Sequence, residues 1–232
     1  GFTGTLDGSK THKWVLEGLF GECERVTKTD DLIKEGYLSK FRIKVLLCKH
    51  APQHFESYHD EMEYLVEHKG RNNLIKNLVN DLEGNTLVLF NYVEKHGEPL
   101  YELINNTIDP ERKLFFVHGG TDVEDREEVR QITETESNAI IVASYGTFST
   151  GINIKRLHNI VFASPSKSRI RNLQSIGRVL RKGEGKDIAT LYDIADDIGG
   201  QNYTLKHLNE RVNIYNDENF KYEVIKVNLR AS

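Results

Sequence analysis

Residues 138–154 read NAIIVASYGTFSTGINI. From Ala139 to Ala143 the run is unbroken, apolar and rich in β-branched residues. Such a run, without polar alternation, suits a strand buried on both faces, the condition of a parallel sheet. The serines, threonines, glycines and asparagine that follow are residues of loops.

Similar runs recur on either side. NTLVLF (85–90) and KLFFVHGG (113–120) come before it, HNIVFAS (158–164) and DIATLYDI (187–194) after it, and FRIKVLLC (41–48) supplies an early strand. Helical patterns separate them at 71–82, 93–107, 124–135 and 168–180, with another at 12–20. Strand and helix in alternation, joined by short glycine-bearing turns, predict a doubly wound α/β fold with a mostly parallel sheet. No internal repeat or low-complexity segment interrupts it. Residues 217–232 alternate in a strand-like way, suited to a sheet edge or to docking on another domain.

Composition sets the class. The chain has 232 residues, 38% hydrophobic and 28% charged, with four prolines, which describes a folded rather than a disordered polypeptide. Cys23 and Cys48 are its two cysteines, too few and too far apart for a metal or disulfide framework. That usage suits a reducing compartment, and no apolar run is long enough to span a bilayer, so the expectation is a cytoplasmic protein without membrane partners. The net charge of −4 argues against an indiscriminate nucleic-acid binder. Its distribution is uneven: between Lys155 and Lys186 nine basic residues face one acid, Glu184, for a local charge of +8. The remainder therefore carries −12. A basic strip on an acidic body marks a localised anion site, for phosphates or a nucleic-acid backbone.

One near-match needs a decision. Gly4 to Thr11, GTLDGSKT, comes one residue short of the phosphate loop G-x-x-x-x-G-K-S/T, with Ser9 in place of the last glycine. That glycine lets backbone N–H groups wrap a phosphate, and a buried strand must precede the loop. Only Gly1, Phe2 and Thr3 precede Gly4 here, and no magnesium-binding D-E pair follows nearby. The expectation is that this is not a phosphate loop.

The order of several other segments resembles superfamily-two helicases. Gln174 to Arg181, QSIGRVLR, fits the family's motif VI, Q-x-x-G-R-x-x-R. On a helix, Gln174, Arg178 and Arg181 recur at four- and three-residue spacing and share a face, which suits aiming two guanidiniums at one phosphate. Ala143 to Ile154 resembles motif V, and LVLFNYVEKH (87–96) resembles motif IV. FVHGGT (116–121) with Arg126 resembles the H-G…R segment between them. Thr3-Gly4-Thr5 resembles the coupling tripeptide of motif III, with Gly4 replacing the family's alanine. Phe90 reads as a core aromatic, and Tyr92 stays open between core and site.

The resemblance implies a RecA-like second helicase domain at 41–216, the end of the first such domain with its linker at 1–40, and a carboxyl-terminal tail at 217–232. It implies ATP with Mg2+ as cofactor, the metal ligands lying upstream and no metal site in this chain. Arg178, Arg181 and Gln174 would act at the γ-phosphate, with Gly151 and Asn153 on the nucleotide side. Arginines of this kind raise phosphoryl-transfer rates by roughly 10³–10⁵. His118, Gly119, Arg126, Ser144 and Thr147 would hold a nucleic-acid strand, and Thr3, Gly4 and Thr5 would couple it to hydrolysis. The wording of motifs V and VI resembles in particular phage recombination and repair helicases. That implies branched DNA as substrate (forks, Holliday junctions, D-loops and R-loops with their RNA–DNA hybrid), in recombination, repair and replication in the host cytoplasm. On this reading the chain is inactive without its P-loop domain. Two alternatives stand beside it: a duplex-DNA translocase subunit of the same superfamily, and a non-catalytic RecA-like binding module.

Overall fold

The computed structural model describes residues 41–149, 156–165 and 189–229. Their strands are β1 (Phe41–Lys49), β2 (Thr86–Phe90), β3 (Leu114–Val117), β4 (Ile140–Ser144), β5 (Asn159–Phe162), β6 (Ala189–Asp197) and β7 (Lys221–Asn228). All seven join one sheet in the order β3-β4-β2-β5-β6-β1-β7, and every pairing is parallel. The helices are α1 (Tyr58–Glu67), α2 (Lys69–Asp81), α3 (Glu98–Asn105), α4 (Val123–Thr135), α5 (Tyr145–Ser149) and α6 (Tyr203–Asp217). A π-helical turn, Val93–Gly97, leads into α3. The doubly wound sheet expected from the sequence is present, and it is parallel throughout. β7 lies beside β1 at the sheet edge. The helices expected over 12–20 and 168–180 lie outside the described residues.

Successive side chains of a strand point to opposite faces, so each central strand feeds two cores. On one face, Ile43, Val45, Leu47, Leu87, Leu89, Ile141, Phe162 and Leu191 pack with Leu205, Leu208, Val212 and Tyr215 of α6. On the other, Leu46, Val88, Phe90, Val142, Val161 and Ile194 pack with Ile75 and Val79 of α2 and with Leu100 and Ile104 of α3. All five residues of β2 are buried, which explains its unbroken apolar text.

Local chemistry sets the element ends. Ser57 caps α1 by accepting from the Asp60 N–H at 3.2 Å. The His68 ring accepts from the Arg71 N–H at 3.1 Å and starts α2 directly after α1 stops. The amino end of α6 is capped from a distance. Glu61 of α1, fully buried, accepts from the N–H groups of Tyr203 (2.7 Å) and Thr204 (2.8 Å) and from the Thr204 hydroxyl (2.7 Å). A carboxylate there satisfies otherwise orphaned amides at the positive end of the helix dipole. Gly97 is required where it stands, because a Cβ would fall 2.5 Å from the Phe90 ring.

β6 carries three buried aspartates, and each has a fixed partner. Asp193 takes a bidentate pair from Arg211, 2.7 and 3.0 Å, and the Tyr215 hydroxyl at 2.6 Å. Burial opposes the Arg211 charge, but the Asp193 carboxylate outweighs it and holds the guanidinium above its usual range. Asp196 accepts from Arg71 Nε at 2.9 and 3.1 Å and from His50 Nε2 at 2.8 Å. Burial would raise this carboxyl, yet Arg71 and His50 together bring it down to about 2. Asp197 pairs with Lys49 and accepts from the Gly200 N–H at 2.8 Å.

Replacing one member of a buried pair strands the other charge. Arg211→Met is expected to cost about 3–5 kcal/mol in urea unfolding; a loss below about 1 kcal/mol would show that Asp193 does not need its partner. Asp196, with its folded value lowered, contributes stability that is complete above the unfolded carboxylate pKa of about 3.9 and disappears as pH falls through about 2. Acid titration followed by circular dichroism should therefore show about 2–3 kcal/mol lost across that window in the wild type. Asp196→Asn, less stable throughout, should lose correspondingly less there.

Candidate nucleic-acid interface at the carboxyl edge of the sheet

Because all strands run the same way, every strand-to-helix loop opens on one edge. β3, β4, β2 and β5 are neighbours, so the loops after them lie side by side. In parallel α/β sheets this edge is where ligands bind.

After β3 the chain turns through His118, Gly119, Gly120 and Thr121 before α4. The His118 N–H donates to the Thr121 hydroxyl at 3.0 Å, and the Thr121 N–H returns to the His118 carbonyl at 2.9 Å. The His118 ring accepts from the Gly120 N–H at 3.1 Å, so its Nδ1 belongs to the turn. From the first turn of α4, Arg126 donates Nε to the Thr121 carbonyl at 2.8 Å and Nη2 to the Gly119 carbonyl at 3.4 Å. Arg126 thus braces the loop from within. Gly119 and Gly120 are exposed. Gly119 has neither a positive φ nor any atom within 4 Å of a would-be Cβ, so neither strain nor packing calls for a glycine there. Its bare backbone leaves room for something outside the chain to come close.

Ser144, the last residue of β4, directly precedes α5. Its hydroxyl lies 2.7 Å from the Thr147 hydroxyl and accepts from the Thr147 N–H at 3.3 Å, a side-chain cap on a five-residue helix. Ser144 is half-buried and Thr147 is only 3% exposed. The residue between them that faces outward is Gly146, again with nothing within 4 Å of a would-be Cβ. A glycine in a helical turn costs about 1 kcal/mol relative to alanine, and no packing calls for one at Gly146.

After β2, Phe90 is fully buried and stacked on Phe116 with centroids 5.5 Å apart, the core role expected of it. Tyr92 is half-buried and heads the π-helical turn. His118 and Gly119 therefore share the loop that Arg126 of α4 braces, and Ser144 and Thr147 share the turn after the adjacent strand. Gly151, Asn153, Gln174, Arg178 and Arg181, with Thr3, Gly4 and Thr5, lie outside the described residues. Among the described residues, no group of three or more His, Cys, Asp or Glu side chains is placed to hold a metal. Nor is any described helix long and apolar enough to cross a membrane.

Comparison with known proteins agrees with this architecture. Residues 70–183 match the helicase conserved C-terminal domain. The ATP-dependent DNA helicase uvsW of Enterobacteria phage T4 is 35% identical over 251 aligned positions, covering 99% of this chain and 49% of that protein. The chain thus spans about half the length of this relative. The crystal structure of T4 UvsW superposes with a TM-score of 0.69 at 36% identity, over 82% of this chain and 42% of that one. The C-terminal domain of the DEAD-box protein Dbp5 shares the fold at 14% identity, with a TM-score of 0.54 over 79% of this chain and 90% of that one. The chain belongs to the superfamily-two helicases, as a carboxyl-terminal part carrying the helicase conserved C-terminal domain.

Proposed function

We propose that this chain is the carboxyl-terminal part of an ATP-dependent DNA helicase or translocase that works on branched DNA in recombination, repair and replication. The observation that carries the reading is the 35% identity to uvsW, which extends over 99% of the chain rather than over isolated motifs. The substrates would be forks, Holliday junctions, D-loops and R-loops, and the chain's first partner would be its own upstream RecA-like domain. ATP and Mg2+ would be held chiefly there. The magnesium-bound nucleotide supplies the transferable phosphoryl group.

The described edge supplies a footing for one strand. The bare backbone at Gly119 and Gly146 admits a phosphodiester closely, and Arg126 keeps the first loop rigid from behind. Ser144 and Thr147 shape the second turn and set its exposed backbone. Such a footing is largely sequence-blind, since it addresses phosphates rather than base edges. Arg178 and Arg181 would serve the γ-phosphate, with Gln174 on the same helical face and Gly151 and Asn153 at the nucleotide. Thr3, Gly4 and Thr5 would couple the two events.

DNA-stimulated ATP hydrolysis tests the reading. The 232-residue chain alone should be silent, whereas the protein with its upstream RecA-like domain should turn over. In that protein, Arg178→Ala and Arg181→Ala should each lower kcat by roughly 10³-fold with DNA binding kept. Turnover by the isolated chain, or arginine variants as active as the wild type, would overturn it. At the edge, Gly119→Val and Arg126→Ala should each weaken single-stranded DNA binding by about tenfold, or about 1.4 kcal/mol, in fluorescence anisotropy. Unchanged affinity in both would remove the loop of residues 118–121 from the interface.

A further inference from the structure

Directly after β5, the Ala163 and Ser164 N–H groups still reach the Leu89 carbonyl of β2, and the carbonyls of residues 163–165 are taken by side chains. Arg71 Nη1, from α2, donates to the Ala163 carbonyl at 2.6 Å. The Tyr145 hydroxyl, from α5, donates to the Ser164 carbonyl at 3.3 Å. Asn91 Nδ2, after β2, donates to the Pro165 carbonyl at 3.4 Å. Three consecutive carbonyls are thus held by side chains from α2, α5 and the loop after β2.

The Ser164 side chain, fully buried, adds a fourth attachment with a definite direction. Its Oγ accepts from the Asn91 N–H at 3.0 Å and lies 2.6 Å from His96 Nδ1. At the other side of the ring, His96 Nε2 lies 3.0 Å from Asn72 Oδ1. The Asn72 amide cannot be reversed, because its Nδ2 donates to the Val66 carbonyl at 2.8 Å. His96 Nε2 therefore carries a proton, and in the neutral ring Nδ1 accepts from the Ser164 hydroxyl. The chain of bonds runs from a backbone donor, Asn91, to a backbone acceptor, Val66. It passes through the π-helical turn, a backbone irregularity that is frequent at functional sites.

Tyr145 is the link to the interface. It lies between Ser144 and Gly146 in the turn after β4, and its ring is buried at 5% exposure against Phe162, centroids 5.7 Å apart. A shift of that turn carries the tyrosine hydroxyl with it and so moves the Ser164 carbonyl. In sequence, Ser164 leads through Pro165 toward Gln174, Arg178 and Arg181.

We propose that Tyr145 and Ser164, the latter oriented by His96, are positioning residues that transmit nucleic-acid contact at the turn after β4 to the exit of β5, and thereby set how strongly DNA stimulates ATP hydrolysis. This rests on the reading of Arg178 and Arg181 as ATP-directed arginines. Neither Tyr145 nor Ser164 needs to touch DNA or nucleotide. Their loss shows as uncoupling rather than as lost binding.

The test uses the full-length protein and measures ATP hydrolysis with and without single-stranded DNA. Tyr145→Phe removes one hydroxyl and keeps the ring in its packing, so the fold is preserved. It is expected to lower the DNA-stimulated kcat about fivefold, with KM for ATP, DNA affinity and the DNA-free rate all within twofold of wild type. Ser164→Ala should behave the same way through the His96 side. If both variants keep the wild-type stimulation while Arg178→Ala abolishes turnover, the inference is wrong and the functional reading stands. Equal loss of the DNA-free rate would also overturn it, by marking a structural role. A wild-type protein without DNA-stimulated hydrolysis, or an active Arg178→Ala variant, would overturn the functional reading and this inference with it.

Discussion

A parallel sheet covered on both faces must find partners for its polar strand ends inside the protein, because water does not reach them. Most of the features described above are answers to that one constraint. At the amino-terminal ends of β2 and β4, the Asn85 amide donates to the carbonyls of Thr133, Glu136 and Arg156 and accepts from the Ala139 N–H. At the carboxyl ends, Ser164 and Asp196 collect the loops. The same buried charges would be a liability if their partners were less well placed, since the desolvation of an unpaired ion exceeds what packing returns.

The constraint also separates two kinds of polar group at the carboxyl edge. Those facing inward, His96, Ser164, Arg71 and Asp196, hold loops to one another. Facing outward among the described residues are the glycine backbones of Gly119 and Gly120 after β3 and of Gly146 after β4. Preorganisation of this kind lets a surface meet a phosphate without first paying to order its own loops.

Much of the architecture was legible in the sequence because burial on both faces writes itself as uninterrupted apolar text. β2, β4 and β5 are examples, whereas in β1 Arg42 and Lys44 interrupt the run. Three helices were not read. α1 opens on Tyr58-His59-Asp60-Glu61, and its most consequential residue, Glu61, is a buried acid whose role depends on α6. α6 alternates apolar residues with Lys206, Asn209 and Asn213, and its inward Arg211 breaks the apolar stripe that would have announced it. α5 is too short and too rich in serine, threonine and glycine to show a period. Of the candidate site, His118, Gly119, Arg126, Ser144 and Thr147 were visible as motif letters. The Ser164–His96 junction was not, since its members stand 68 residues apart and no local pattern connects them.

The strand order has a consequence for how the chain reaches this state. β1 comes first among the described strands but sits between β6 and β7, and its register pairs Phe41 with Ala189, 148 positions later. During synthesis β1 must wait, with both hydrogen-bonding edges open, until most of the chain has been made. β6 cannot settle early either, because Asp193 needs Arg211 from downstream while Asp196 needs Arg71 from upstream. That half of the sheet closes as a single late, long-range event, the type of contact that slows folding and leaves nascent edges in need of protection.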